Sequence, residues 1–170
     1  VIDEDKKTVA AFAGNFKTAH RKGVDFLSGY CAVKPAPSDI VITTNGGYPL
    51  DQNAYQCPKG MSAAEATVND GGVIIMLATC QDGHGGESYY HSIADAESAD
   101  AFFQQCLHTP QVETLPDQWC AQIWCRIVRK YKVLFVADKA QEQLIRDLKV
   151  EYFETLDEAY ARARELKGPD

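Results

Sequence analysis

Apolar runs alternate with helical periodicity along most of the chain. TVAAF at 8–12 reads as a strand closed by Ala13-Gly14, and 16–30 as a helix. DIVITT at 39–44 is a second strand. Residues 51–69 are helical in character but punctuated by Pro58 and Gly60. VIIMLAT at 73–79 is a third strand, apolar throughout rather than alternating, as expected where both faces are covered. Residues 87–107 read as helix in one or two pieces, and 116–130 as a helix with Trp119, Ile123 and Ile127 on one stripe. YKVLFVA at 131–137 is a fourth strand, 141–148 a helix, VEYF at 150–153 a short strand, and 155–166 a closing helix. Thr155 suits that helix's cap, and Asp157 and Glu158 its first turn.

Strands separated by helices imply right-handed crossovers and a mostly parallel sheet. The expectation is one α/β domain over 1–170, a Rossmann-like three-layer sandwich of about five strands with helices on both faces. A lesser break falls at HTPQVET, between the first three strands and the last two.

Composition narrows the class of protein. Of 170 residues, 45% are hydrophobic and 24% charged, which is ordinary for a soluble globular chain. No apolar run approaches the ~18 residues of a membrane span. The charged start, VIDEDKK, has no signal-peptide order, so a cytoplasmic protein is expected. Residue 1 is not methionine, and Val1 is read as a boundary imposed on a longer chain. The net charge of −7 weighs against nucleic acid as a partner. Arg126, Arg129, Lys130 and Lys132 are read as the cationic end of a helix. Six cysteines, at 31, 57, 80, 106, 120 and 125, form no C-x-x-C pair. They fit small apolar core positions in a reducing compartment better than a disulfide framework.

In such folds ligands gather at the carboxyl ends of the strands. Three segments qualify: 45–60, 80–88, and the helix start after Pro116. Gly46-Gly47 suits a tight turn, and Asp51 is a candidate helix cap. Gln56 and Lys59 are three apart and share a helical face, with Tyr55 about 100° away. Pro58, together with the capping-box pattern Ser62-x-x-Glu65, predicts a short helix, a break at Lys59-Gly60 and a new helix from Met61. Lys59 can clamp a carboxylate, a bond of roughly 1.5–3 kcal/mol where water is excluded. Gln56 can meet a hydroxyl or carbonyl. The competing reading is a solvated lysine beside a structural glutamine. His84, His91, Asp82 and Glu87 are metal-ligating types without a metal-binding spacing, and no metal site is expected. His20 sits on a polar helix. Dinucleotide, P-loop and nucleophile-elbow motifs are missing from the sequence. Trp119 is either a core residue or a pocket wall.

NGGYPLDQNAYQCPKGMSAAEA (45–66), together with PDQW (116–119), resembles the C-terminal domain of the nickel-dependent lactate racemase family. The likeness runs from AFAGNFKTAHRKG to the end of the chain. It implies an enzyme of two α/β domains with the active site between them. The implied cofactor is the nickel-pincer nucleotide, a pyridinium-3,5-bisthiocarboxylic acid mononucleotide carrying nickel. By the same resemblance, hydride passes from the α-carbon of a small 2-hydroxy acid to the cofactor, a histidine takes the hydroxyl proton, and hydride returns to the other face. A cofactor-bearing N-terminal domain, the implied partner, supplies the cofactor lysine and the histidines. The C-terminal domain supplies Tyr-Gln-x-x-Lys and a tryptophan. Those positions match Tyr55, Gln56 and Lys59 as the catalytic group, with Gln56, Lys59 and Trp119 on the substrate and Tyr55 also against the cofactor. No role passes to Cys57 or Pro58, nor to His20, His84, His91 or His108. This chain is expected to bind no cofactor and to be inactive alone. The rival expectation is a non-catalytic nucleotide- or anion-binding α/β module. The third is a domain that only aids assembly or closure.

Overall fold

A computed structural model describes residues 1–168. The chain forms two compact units, Val1–Pro35 and the remainder from Ala36.

The first unit is built on α1 (Phe16–Cys31), whose N-terminus is capped by Asn15 accepting from the Lys17 N–H at 3.1 Å. Residues 8–12 are not the expected strand. Thr8 makes one isolated antiparallel bridge to Ile2, and 9–13 are irregular. The reason lies in packing: the Phe12 ring lies 5.7 Å from that of Phe26 on α1. The apolar end of the run is used against a helix rather than in a sheet.

The second unit holds a sheet of four strands, not about five: β1 (Ser38–Thr44), β2 (Val68–Leu77), β3 (Lys132–Val136) and β4 (Glu151–Phe153). All neighbours are parallel, in the order β1-β2-β3-β4. Thr44 pairs with Leu77, and Leu77 with Val136, so the strand ends form one rim. The order never reverses. Right-handed crossovers taken always in one direction put every connection on the same face. These connections are α2 (Cys57–Glu65), α3 (Glu87–Ala94), α4 (Ala99–His108), α5 (Gln118–Lys130) and α6 (Glu142–Asp147). The other face is covered by α7 (Leu156–Lys167).

Two cores follow from strand alternation. Ile74, Met76, Val133 and Phe135 point into the larger, with Met61, Ile93, Trp124, Ile127, Ile145 and Leu148. Val73, Ile75 and Leu134 meet Ala159 and Ala163 of α7, whose small side chains let the helix lie close to the sheet. Helices on both faces are therefore present, and α7 carries the capping box expected at Thr155.

Three local expectations are corrected. The predicted break at Lys59-Gly60 is absent, because α2 runs through it with Pro58 in the first turn, where a missing N–H costs nothing. Ser62 is therefore mid-helix and forms no capping box, and Glu65 instead meets Arg126 at 2.6 Å. Asp51 caps no helix; it is buried and accepts from the Thr79 N–H at 3.2 Å. On α5 the buried positions include Cys120, Trp124 and Ile127, which turns Trp119 outward, 57% exposed. Cys57, Cys80, Cys120 and Cys125 are buried free thiols, whereas Cys31 is exposed. No helix among the described residues is long and apolar enough to cross a membrane.

Candidate functional site at the carboxyl rim

Gly46 and Gly47 both take positive φ, as the turn after β1 requires. Asn45 then ties this turn to α2: its Oδ1 accepts from the Gly60 N–H at 3.0 Å, and its Nδ2 donates to the Leu50 carbonyl at 3.1 Å. Thr43 adds a hydroxyl bond to the Gly60 carbonyl at 3.0 Å. Gly60 is in the helix for want of space. A Cβ there would lie 2.7 Å from Asn45 Oδ1 and 2.9 Å from the Thr44 carbonyl oxygen.

The loop after β2 is laced along the segment after β1. Backbone N–H groups of Cys80 and Asp82 donate to the carbonyls of Asp51 and Gln52 at 3.1 and 2.7 Å. Those of Ala54 and Tyr55 donate to Gly83 and His84, both at 3.0 Å. This fixes the 3-10 turn Ala54–Gln56 at the start of α2.

Tyr55 is half-buried, its ring edge-on to Tyr89 at 5.4 Å and to Trp119 at 6.2 Å. Its hydroxyl donates to Asp117 Oδ1 at 3.1 Å. Burial first, and then that bond, pushes the phenol up to about 12. The exposed Lys59 donates its ammonium to Gln56 Oε1. Cys120, on the first turn of α5, donates its thiol to the Tyr55 carbonyl at 3.4 Å. Burial and the Asp117 carboxylate push that thiol up to about 12, while the nearby Lys59 charge opposes them. Tyr55, Gln56, Lys59 and Trp119 thus come together where the starts of α2 and α5 meet, Tyr55 and Gln56 half-buried and Lys59 and Trp119 exposed. A separate hollow of about 300 Å³ lies over the strand ends, lined by Thr44, Asp51, Thr79, Asp138 and Glu154 among others. None of the four candidates lines it.

The histidines are engaged elsewhere. His84 stacks on Tyr90 at 5.0 Å and accepts from the Gly86 N–H at 3.1 Å. His91 lies between Glu87 and Asp95, at 3.5 and 3.1 Å. His20 and His108 are exposed. Among the described residues no group of three or more His, Cys, Asp or Glu side chains is arranged to hold a metal. Sequence reasoning missed Asp117, whose signal was its place two residues before a helix-start tryptophan in PDQW.

Fold and rim together define a parallel, helix-flanked α/β domain with hydrogen-bond donors and aromatic surface at the carboxyl ends of its strands. The pattern of the lactate racemase C-terminal domain matches residues 33–170, and the chain belongs to that family. It is 49% identical over 168 residues to the lactate racemase of Lactiplantibacillus plantarum, covering 99% of this chain and 40% of that protein. It is 45% identical over 170 residues to the lactate racemase of Thermoanaerobacterium thermosaccharolyticum, covering 100% of this chain and 40% of that one. The solved lactate racemase apoprotein from T. thermosaccharolyticum superposes with a TM-score of 0.91 at 45% identity, covering 97% of this chain and 40% of that structure. The chain therefore spans about 40% of the length of the relatives it matches.

Proposed function

We propose that this chain is the substrate-closing part of a racemase or epimerase of small 2-hydroxy acids, lactate foremost. The observation that carries the reading is the bond between Lys59 and Gln56. An ammonium has only donors, so it must take the amide oxygen. The Gln56 Nε2 then faces away from Lys59. That leaves the Gln56 amide N–H groups and the remaining N–H groups of the exposed Lys59 ammonium as donors, with the exposed Trp119 indole on the other side of Tyr55. Such a donor-only pair suits a carboxylate, with Lys59 neutralising its charge and Gln56 orienting it or the hydroxyl. Tyr55 and Trp119 form the wall against the substrate side chain.

The nickel-pincer nucleotide of this family, when bound, supplies the acceptor and donor of the α-hydride. The residues here fit contact with the cofactor's organic ring, through Tyr55 and Trp119, rather than coordination of its metal. The cofactor-bearing N-terminal domain is the proposed partner, in keeping with the share of the relatives that this chain spans. A cytoplasmic setting belongs to the same reading, supported by the four buried free thiols.

The test is Lys59→Ala in the full-length, cofactor-loaded protein, followed by racemisation of one lactate enantiomer. Loss of a charge-assisted bond predicts a fall of about ten- to a hundred-fold in kcat/KM, with circular dichroism unchanged. Parental kinetics in this variant would sink the reading.

A further inference from the structure

We infer that Asp117 is a positioning residue, whose carboxylate holds the Tyr55 phenol and through it the aromatic wall made with Trp119. The inference rests on the function proposed above and adds a residue to it.

Asp117 stands at the N-cap of α5, where an aspartate ordinarily accepts from the second or third N–H of its own helix. It makes no such bond. Its backbone is left-handed, with φ 60° and ψ 2°, a conformation that an L-residue adopts at a cost. The start of the helix is held by other groups. The Cys120 and Ala121 N–H groups donate to the Asp117 carbonyl at 2.9 and 3.2 Å, and Gln118 Oε1 accepts from the Leu115 N–H at 3.1 Å. The side chain is thereby free of its local duty. It reaches a hydroxyl 62 positions away in sequence, at 3.1 Å.

The Tyr55 backbone is already fixed by its bonds to His84 and Cys120. What remains free is rotation of the ring, and the Asp117 bond restrains that rotation. The ring sits between Tyr89 and Trp119, so a shift of the phenol moves the wall facing a ligand. The bond also sets the chemistry of the wall. With its proton committed to a carboxylate, Tyr55 offers a ligand its ring and an oxygen lone pair, not a donor. The donors for a carboxylate are left to Gln56 and Lys59.

The experiment compares Asp117→Gly and Asp117→Asn in the full-length, cofactor-loaded protein. Glycine accepts the left-handed backbone but removes the acceptor. Asparagine tolerates the same backbone and keeps an oxygen in place. The first readout is the titration of Tyr55 by NMR of ¹³Cζ-tyrosine, assigned with Tyr55→Phe and recorded without substrate. The phenol, pushed up to about 12 in the parent, should titrate at lower pH in both variants. The second readout is kcat/KM, which should fall at least about ten-fold in Asp117→Gly and be largely restored in Asp117→Asn. In the Tyr55→Phe background, Asp117→Gly should cost little more. An unmoved Tyr55 titration in Asp117→Gly overturns the inference, as does a full ten-fold loss that persists without the Tyr55 hydroxyl. Parental kinetics for Asp117→Gly would likewise assign Asp117 to the backbone turn alone. The titration needs no substrate, so it judges the hydrogen bond even if Lys59→Ala were to leave racemisation intact.

Discussion

At Gly60 local preference and tertiary contact disagree. An alanine in a helix interior is worth about 1 kcal/mol more than glycine on propensity alone. Here the added Cβ would press on Asn45 Oδ1 at 2.7 Å and the Thr44 carbonyl oxygen at 2.9 Å, and one of these is backbone. Overpacking of this kind costs about 1–3 kcal/mol, so Gly60→Ala should lower stability. Urea titration of the purified chain measures this, and a midpoint equal to or above the parent's would refute it. The same contact explains why the sequence misled. A glycine after Pro-Lys reads as a helix stop, and nothing in 45–60 reveals that Asn45 reaches fifteen residues ahead to the Gly60 N–H. The spacing of Gln56 and Lys59 was legible, and the two do meet. Asp117 was not, because its partner Tyr55 lies far away in sequence.

Among the elements, β4 is the shortest strand, and its first residue is tied to its neighbours by charge. Glu151, at its start, pairs with Lys132 of β3 at 2.8 Å and with Arg162 of α7 at 3.3 Å. Burial works to raise its carboxyl, but the two cations outweigh burial and hold it below its usual value. The folded form is then the stronger acid, and the unfolded chain takes up the proton first as pH falls. The stabilisation is complete above about pH 4.5 and fades as the pH drops through the lowered folded value. Glu151→Gln should therefore cost up to about 1 kcal/mol at pH 7 and much less at pH 3.5, by urea unfolding at both values. A pH-independent difference would contradict this origin. Most elements of the second unit were legible because each carries its own period and an apolar face. The error at 8–12 had a different source. A five-residue apolar run can serve a sheet or a helix surface, and only the presence of Phe26 decides between them. The early start of β2, at Val68 rather than residue 73, was hidden for a similar reason: residues up to 69 read as helical, yet Val68 pairs with Ser38, and the pairing shifts register before it resumes at Val73.

At the scale of the molecule, Lys59 and Trp119 are exposed, none of the four candidate residues lines the hollow over the strand ends, and the chain covers about 40% of its relatives' length. Purified alone and mixed with the nickel-pincer nucleotide and lactate, it should give no change in optical rotation. Turnover above the cofactor-only control would refute the division of labour proposed here. The lacing of 80–84 along 51–55 by four backbone hydrogen bonds has a kinetic consequence. A rim tied in this way has little freedom to fold over a ligand. On the function proposed above, enclosure would then fall to movement of the partner domain against this one, on the microsecond-to-millisecond scale of collective domain motions. Residence time at this rim would follow that movement rather than any rearrangement of its own loops.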